Sequence, residues 1–166
     1  MDAPDLLAVR AAVLAASVTV ARVTQPYQVR GRRAPAPAGQ LDEAWTTVVS
    51  TLSAEAPHLI LGGRSSGARV ACRTARALGA VGVVALAFPL HPPGRPDRSR
   101  ADELDTGVPT LVVNGDRDPF GMPEPGPGID LCVRPGERHD LRRDPAAVGT
   151  AVLAWLVRHG WAVPSL

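Results

Sequence analysis

The chain has 166 residues, of which 45% are hydrophobic and 20% charged, enough for one domain with a substantial apolar core. That hydrophobic content excludes an intrinsically disordered chain, and the longest uncharged apolar runs are too short to span a membrane. All 18 basic residues are arginine, but they are scattered among 16 acidic residues and the net charge is only +2, which argues against nucleic-acid binding.

The number and spacing of the cysteines, together with the first residues, indicate the expected cellular location. Cys72 and Cys132 are too few for the disulfide framework of a secreted scaffold, and they lack the spacing of metal ligands. Residues 1–5 are acidic where an export signal would be basic, and Arg10 interrupts the apolar stretch behind them. We therefore expect a cytoplasmic protein that uses no metal or other cofactor and binds neither membrane nor nucleic acid.

Predicted helices and strands alternate along the chain. Apolar residues at helical spacing predict the helices, and β-branched or wholly apolar runs predict the strands. In chain order these are a helix over 3–16, a strand over 17–23, a helix over 41–55, a strand over 58–63, a helix over 66–78, a strand over 80–86, a short helix near 100–104, strands over 109–115 and 129–133, and a helix over 145–159. This order predicts a single α/β domain over 1–166, a three-layer sandwich around a mostly parallel sheet of about five strands.

A short glycine-flanked serine motif follows the strand over 58–63. Its sequence, Gly63-Arg64-Ser65-Ser66-Gly67, matches G-x-S-x-G, in which a strained strand-to-helix turn presents a nucleophilic serine above the sheet. The backbone N–H of Ser66, directly after that serine, is then the candidate oxyanion donor. The alternative is a glycine-rich helix entry that only turns the chain or binds an anion at the helix N-terminus.

A nucleophilic serine needs a general base and an acid to orient it. Asp116 and Asp118 follow the predicted strand over 109–115, and His139 follows the strand over 129–133. Ligands of parallel sheets bind at the carboxyl ends of the strands, so these side chains are expected on the same rim as the serine.

The chain order selects among these residues. Ser65, Asp118 and His139 follow one another in the Ser-Asp-His order known for one class of serine hydrolases. Asp118 is favoured over Asp116 because its Gly-x-x-Asp spacing is the usual one, although an aspartate directly before Pro119 also suits a plain turn.

Substrate contacts are expected from the loops at the same rim. His91 lies in the proline-rich loop over 88–100, and Arg64 lies inside the serine motif, so both are candidate substrate-binding residues. The loops over 30–40 and 119–128 complete the rim. A small-molecule acyl compound is the expected substrate, but these loops do not reveal its size.

Three segments carry a family resemblance: 62–71 with the serine motif, the proline-rich loop 88–96, and 115–121 with both carboxylates. On these segments the chain resembles the α/β-hydrolase superfamily, and within it the dienelactone-hydrolase-like branch that includes testis-expressed protein 30 and the hydrolase-like subunit of the KANSL chromatin complex. The resemblance implies the α/β-hydrolase fold and the same Ser-His-Asp triad, although some members of the branch are considered non-catalytic scaffolds.

Family members carry further strands and a His-Gly-rich loop ahead of the first helix predicted here, and that loop supplies a second oxyanion N–H. The resemblance therefore implies an N-terminally truncated α/β-hydrolase fold, with an exposed sheet edge through which a homodimer could form. We expect a serine hydrolase that transfers the acyl group of an ester or thioester to water, weakened by the missing donor. The alternative is a catalytically impaired hydrolase-fold protein that binds partners through its Arg-rich and Pro-rich loops.

Overall fold

A computed structural model describes residues 3–54 and 56–163 of the chain. Within these residues a four-stranded, wholly parallel sheet has the strand order β1-β2-β3-β4. The strands are β1 (Ile60–Arg64), β2 (Gly82–Leu86), β3 (Thr110–Gly115) and β4 (Ile129–Arg134). The helices are α1 (Pro4–Ala15), α2 (Pro26–Val29), α3 (Ala38–Leu52), α4 (Ser66–Thr74) and α5 (Pro145–Arg158), with a 3₁₀ helix at Ala101–Leu104.

The sheet is covered on both faces, which confirms the predicted three-layer α/β architecture. Every residue of β2 and β3 is buried, as expected for parallel strands between two helical layers. Val83 and Val112 pack with residues of α4 on one face, whereas Val84 and Val113 pack with residues of α1 and α5 on the other. This alternation gives the protein two apolar cores that share one sheet.

The predicted strand over 17–23 is wrong. Residues 18–25 form no strand, although Val18 and Val20 are partly buried against the core under α5 while Thr19 is exposed. The alternation of apolar residues thus reflects which side chains face the core, but a strand also needs a hydrogen-bonded neighbour. The described sheet consequently has four strands instead of about five, and β1 forms one of its edges.

Several element ends differ from the predicted ones. Helix α3 begins inside the segment predicted as a loop over 30–40, and α4 ends at Thr74, four residues before the predicted end. The single turn α2 was not predicted, because a turn that starts at Pro26 and spans four residues carries no helical periodicity. None of the helices in the described ranges is both long enough and apolar enough to cross a membrane.

Candidate active site

Ser65 occupies the sharp turn between β1 and α4. Its backbone has φ 54° and ψ −117°, a conformation that non-glycine residues rarely adopt and that costs about 1–3 kcal/mol. The Ser65 N–H donates to the carbonyl oxygen of Leu86 at 3.0 Å, which ties the turn to the end of β2. A Cβ atom at Gly63 would overlap the backbone of Gly67, so the close passage of strand and helix requires glycine there.

Three side chains from different loops form a hydrogen-bonded chain at this turn. The Nε2 atom of His139 lies 2.8 Å from the Oγ of Ser65, and its Nδ1 atom lies 2.8 Å from the Oδ2 of Asp118. An ionised carboxylate only accepts hydrogen bonds, so Nδ1 carries the proton and Nε2 is free to accept from the serine hydroxyl. The Asp118 side chain is completely buried, whereas the imidazole is 19% exposed.

Asp118, and not Asp116, is the carboxylate that contacts the imidazole. Its second oxygen, Oδ1, accepts from the Phe120 N–H at 2.8 Å, which fixes the orientation of the carboxylate. Asp116 instead accepts from the Gly136 N–H at 2.7 Å on an exposed part of the surface. Asp118 therefore contacts the imidazole directly, whereas Asp116 binds the loop that contains Gly136.

The loop that carries His139 is anchored on several sides. The Phe120 ring packs on the imidazole with 4.2 Å between ring centroids, and Leu141 is fully buried in the core under α5. Glu137 is also buried, and its carboxylate accepts from the backbone N–H groups of Arg143 and Asp144. These anchors hold an irregular segment in one conformation.

Asn114, at the end of β3, is a supporting residue that the sequence prediction missed. Its Oδ1 accepts from the Phe88 N–H at 2.8 Å, and its Nδ2 donates to the carbonyls of Phe88 and Gly121 at 3.2 and 3.4 Å. It thereby joins the loop after β2 to the loop that contains Asp118. The available signal was an asparagine, the only one in the chain, ending an otherwise apolar strand.

The remaining predicted residues lie around this centre. Ser66 is the first residue of α4, where backbone N–H groups have no acceptor within the helix. The His91 ring lies against Gly121, and the His91 N–H donates to the Phe120 carbonyl. The Arg64 guanidinium is turned toward the protein, where Nη2 donates to the carbonyl oxygen of His139 at 2.9 Å.

Cys72, in the last turn of helix α4, carries a thiol, a side chain of the nucleophilic type. It is buried, and loss of solvent together with the charge of Glu103 raises the pKa of its thiol to about 12, although Arg73 acts in the opposite direction. A thiol of that kind is protonated at neutral pH and does not attack. Across residues 3–54 and 56–163, no three His, Cys, Asp or Glu side chains come together as metal ligands.

The chain matches the model of one known protein family. The sequence profile described as "Alpha/beta hydrolase domain" matches residues 1–129, a span that contains Ser65 and Asp118. The comparison with curated protein sequences gives no significant match.

Solved structures share the fold at low sequence identity. An α/β serine hydrolase homologue from Coxiella burnetii matches with a TM-score of 0.69 and 17% identity, over 96% of this chain and 77% of that one. An α/β serine hydrolase without lid from Xanthomonas campestris matches with a TM-score of 0.63 and 24% identity, over 80% of this chain and 63% of that one. A structure of the metagenome-derived lipolytic enzymes LipS and LipT matches with a TM-score of 0.62 and 14% identity, over 92% of this chain and 88% of that one.

Proposed function

The chain belongs to the α/β-hydrolase domain family, and on that premise we propose that it is a serine hydrolase with Ser65 as nucleophile, His139 as general base and Asp118 as the orienting acid. The observation that carries the proposal is the pair of 2.8 Å hydrogen bonds that link the serine hydroxyl, the imidazole and the buried carboxylate. Side chains in that order can remove a proton from the hydroxyl as it attacks a carbonyl.

The reaction proceeds through two acyl transfers. As the Oγ of Ser65 bonds to the substrate carbonyl carbon, its proton passes to the Nε2 of His139, and the leaving alcohol or thiol takes that proton when its bond to the carbonyl carbon breaks. Water then attacks the acyl-serine, His139 again accepts and returns a proton, and the free acid departs. Asp118 keeps the imidazole in the required tautomer and stabilises its charged form.

The negative charge that develops on the substrate oxygen requires hydrogen-bond donors. The backbone N–H of Ser66, at the start of α4, is the donor that the turn supplies, and the helix dipole favours negative charge there. Removing one such donor typically lowers kcat by about 10²- to 10³-fold. We therefore assign a factor of about 10² to 10³ in kcat to this backbone group.

An ester or thioester of a small acyl compound is the proposed substrate. Support comes from structural neighbours described as serine hydrolases and, in one case, as lipolytic enzymes. Segments 62–71, 88–96 and 115–121 further support membership of the dienelactone-hydrolase-like branch. A small-molecule substrate and a cytoplasmic location belong to the same proposal.

A hydrolase-fold scaffold, the alternative from the sequence, explains less of the structure. A scaffold gains nothing from a strained φ of 54° at Ser65 or from a fully buried Asp118 carboxylate aimed at an imidazole. In acyl transfer, the strained turn presents the nucleophile and the buried carboxylate orients the imidazole. The hydrolase is therefore the function that the geometry supports best.

Hydrolysis of p-nitrophenyl acetate, butyrate and octanoate by the purified chain tests the proposal. We expect turnover above the buffer rate that disappears in Ser65→Ala and persists in Ser50→Ala, a matched substitution on an exposed face of α3. The dependence of kcat/KM on acyl length then identifies the preferred ester. Equal turnover by wild type and Ser65→Ala would contradict the proposal.

A further inference from the structure

Arg64, directly before the proposed nucleophile, joins two distant parts of the chain. Ile60, on the same strand, packs on the core shared by α1 and α5, and side chains alternate along a strand, so Arg64 points to that same face. Its Nη2 donates to the His139 carbonyl at 2.9 Å, and its Nε lies 3.0 Å from the Oδ2 of Asp5 in α1. One guanidinium thus connects β1, α1 and the loop before α5.

The ion pair with Asp5 is not an ordinary surface contact. The Asp5 side chain is fully buried, whereas that of Arg64 is 24% exposed. Burial raises the pKa of the Asp5 carboxyl, and the adjacent charge of Arg64 opposes that rise. Because a buried carboxylate needs a charged partner, Asp5 restricts where the guanidinium can lie.

We propose, on the basis of the proposed hydrolase function, that Arg64 is a positioning residue that fixes the backbone of the general base His139, and that Asp5 holds Arg64 in place. The imidazole ring is already held from the side by Asp118 and Phe120. The backbone that carries it is irregular, and Arg64 supplies a separate anchor on its carbonyl oxygen. A rigid backbone keeps Nε2 at hydrogen-bonding distance from Ser65.

The sequence predicted that Arg64 binds substrate. Removing the Arg64 side chain should change different kinetic constants in that case than in the positioning role. A lost substrate contact raises KM, whereas a displaced general base lowers kcat and leaves KM nearly unchanged. A shift of about 1 Å in a reacting group can lower the rate by about 10²-fold. The split between kcat and KM therefore separates the two roles.

Steady-state hydrolysis of the best p-nitrophenyl ester by Arg64→Ala, Arg64→Lys and Arg69→Ala provides the first test. Arg69 is a matched control because it is 25% exposed and pairs with a carboxylate, Glu103, away from His139. We expect Arg64→Ala to lower kcat by about 10- to 100-fold at nearly constant KM. Arg64→Lys, which can reach the carbonyl or Asp5 but not both, should recover part of that loss, and Arg69→Ala should retain kcat.

A nuclear magnetic resonance measurement tests the inference without turnover. The Nδ1 proton of a histidine bound to a carboxylate gives a far-downfield signal, which can be assigned here by its loss in His139→Ala. We expect this signal to shift or broaden in Arg64→Ala and to stay unchanged in Arg69→Ala. An inactive wild type would refute the hydrolase, whereas an unperturbed His139 signal in Arg64→Ala would refute the positioning role.

A double variant covers the case in which Arg64→Ala does not fold. Removing Arg64 alone takes the ion-pair partner from a buried carboxylate, whereas Asp5→Asn with Arg64→Ala removes both charges. The folded double variant should show the same loss of kcat and the same change in the His139 signal. An unchanged kcat, an unchanged His139 signal, a rise in KM alone, or an equal loss in Arg69→Ala would overturn the inference.

Discussion

The Nε2 atom of His139 lies 2.8 Å from the Oγ of Ser65, although 74 residues separate them in the chain. Ser65 follows β1 and His139 follows β4, and these strands are the two edges of the described sheet. Neighbouring strands are about 4.8 Å apart, so the two strand ends are separated by roughly 14 Å. The loop after β4 must therefore cross back over the ends of β3 and β2.

The backbone at the end of β3 shows how this crossing is accommodated. The Arg117 N–H donates to the Glu137 carbonyl at 3.0 Å, and a Cβ atom at Gly115 would overlap that same carbonyl group. Glycine at the end of β3 lets the returning loop pass in direct contact with the strand. The approach of His139 to Ser65 thus depends on Gly115, which is not one of the three hydrogen-bonded side chains.

Replacing Asp118 by asparagine should nearly abolish activity. The amide NH₂ of Asp118→Asn would donate to Nδ1, which places the imidazole proton on Nε2 and prevents it from accepting from Ser65. We expect kcat to fall by about 10⁴-fold. Asp116→Asn is the matched control, because its amide oxygen can still accept from Gly136, and kcat should remain close to wild type. Equal losses in the two variants, measured by ester hydrolysis, would contradict the assignment of Asp118.

The two glycines of the serine motif should respond differently to alanine. A Cβ atom at Gly63 would overlap the backbone of Gly67 and Ala68, whereas one at Gly67 has no neighbour within 4 Å. We expect Gly63→Ala to lower the free energy of unfolding by about 1–3 kcal/mol or more. Gly67→Ala lies in helix α4 and should raise it by up to about 1 kcal/mol. Urea unfolding of both variants checks this, and a more harmful change at Gly67 would contradict the geometry.

The ion-pair network beside α4 should make the protein sensitive to acid. Burial pushes the pKa of Glu103 upward, but hydrogen bonds and charges from Arg69 and Arg73 outweigh it and leave the pKa below the ordinary 4.5. Glu103 therefore contributes stability above about pH 4.5 that is lost as the pH falls through its folded-state pKa. The free energy of unfolding should decline less between pH 7 and pH 3 in Glu103→Gln than in wild type.

Asp97→Asn is the control for that comparison. Asp97 pairs with Arg95, but both side chains are at least half exposed, and such surface pairs contribute little. Its acid profile should follow that of wild type. A Glu103→Gln profile that also follows wild type would show that the network does not stabilise the folded state.

The sequence predicted the helical layers around a parallel sheet better than the exact number of strands. Wholly apolar runs such as 82–86 predict parallel strands reliably, since burial on both faces leaves few alternatives. The run over 17–23 was wrongly predicted as a strand. Its alternation shows which side chains point to the core, but not whether a neighbouring strand is present. Ser65, Asp118 and His139 were predictable as site candidates because strand ends of a parallel sheet share one rim.

The supporting residues were harder to predict. Asn114 and Asp5 act through contacts with residues far along the chain, and no local motif indicates them. Arg64 was expected to contact substrate, and its contacts with Asp5 and the His139 carbonyl oxygen could not be read from the serine motif. Contacts of this kind depend on tertiary packing, which single-sequence patterns do not encode.

Labelling with a fluorophosphonate probe is the most direct test of whether Ser65 is an activated nucleophile, because the probe bonds only to a serine that an adjacent base activates. The proposed serine-hydrolase mechanism predicts that the folded wild type is labelled, that peptide mass spectrometry finds the adduct on Ser65, and that His139→Ala is labelled far more slowly. Absence of labelling in the folded wild type, or an adduct that persists in Ser65→Ala, would contradict it.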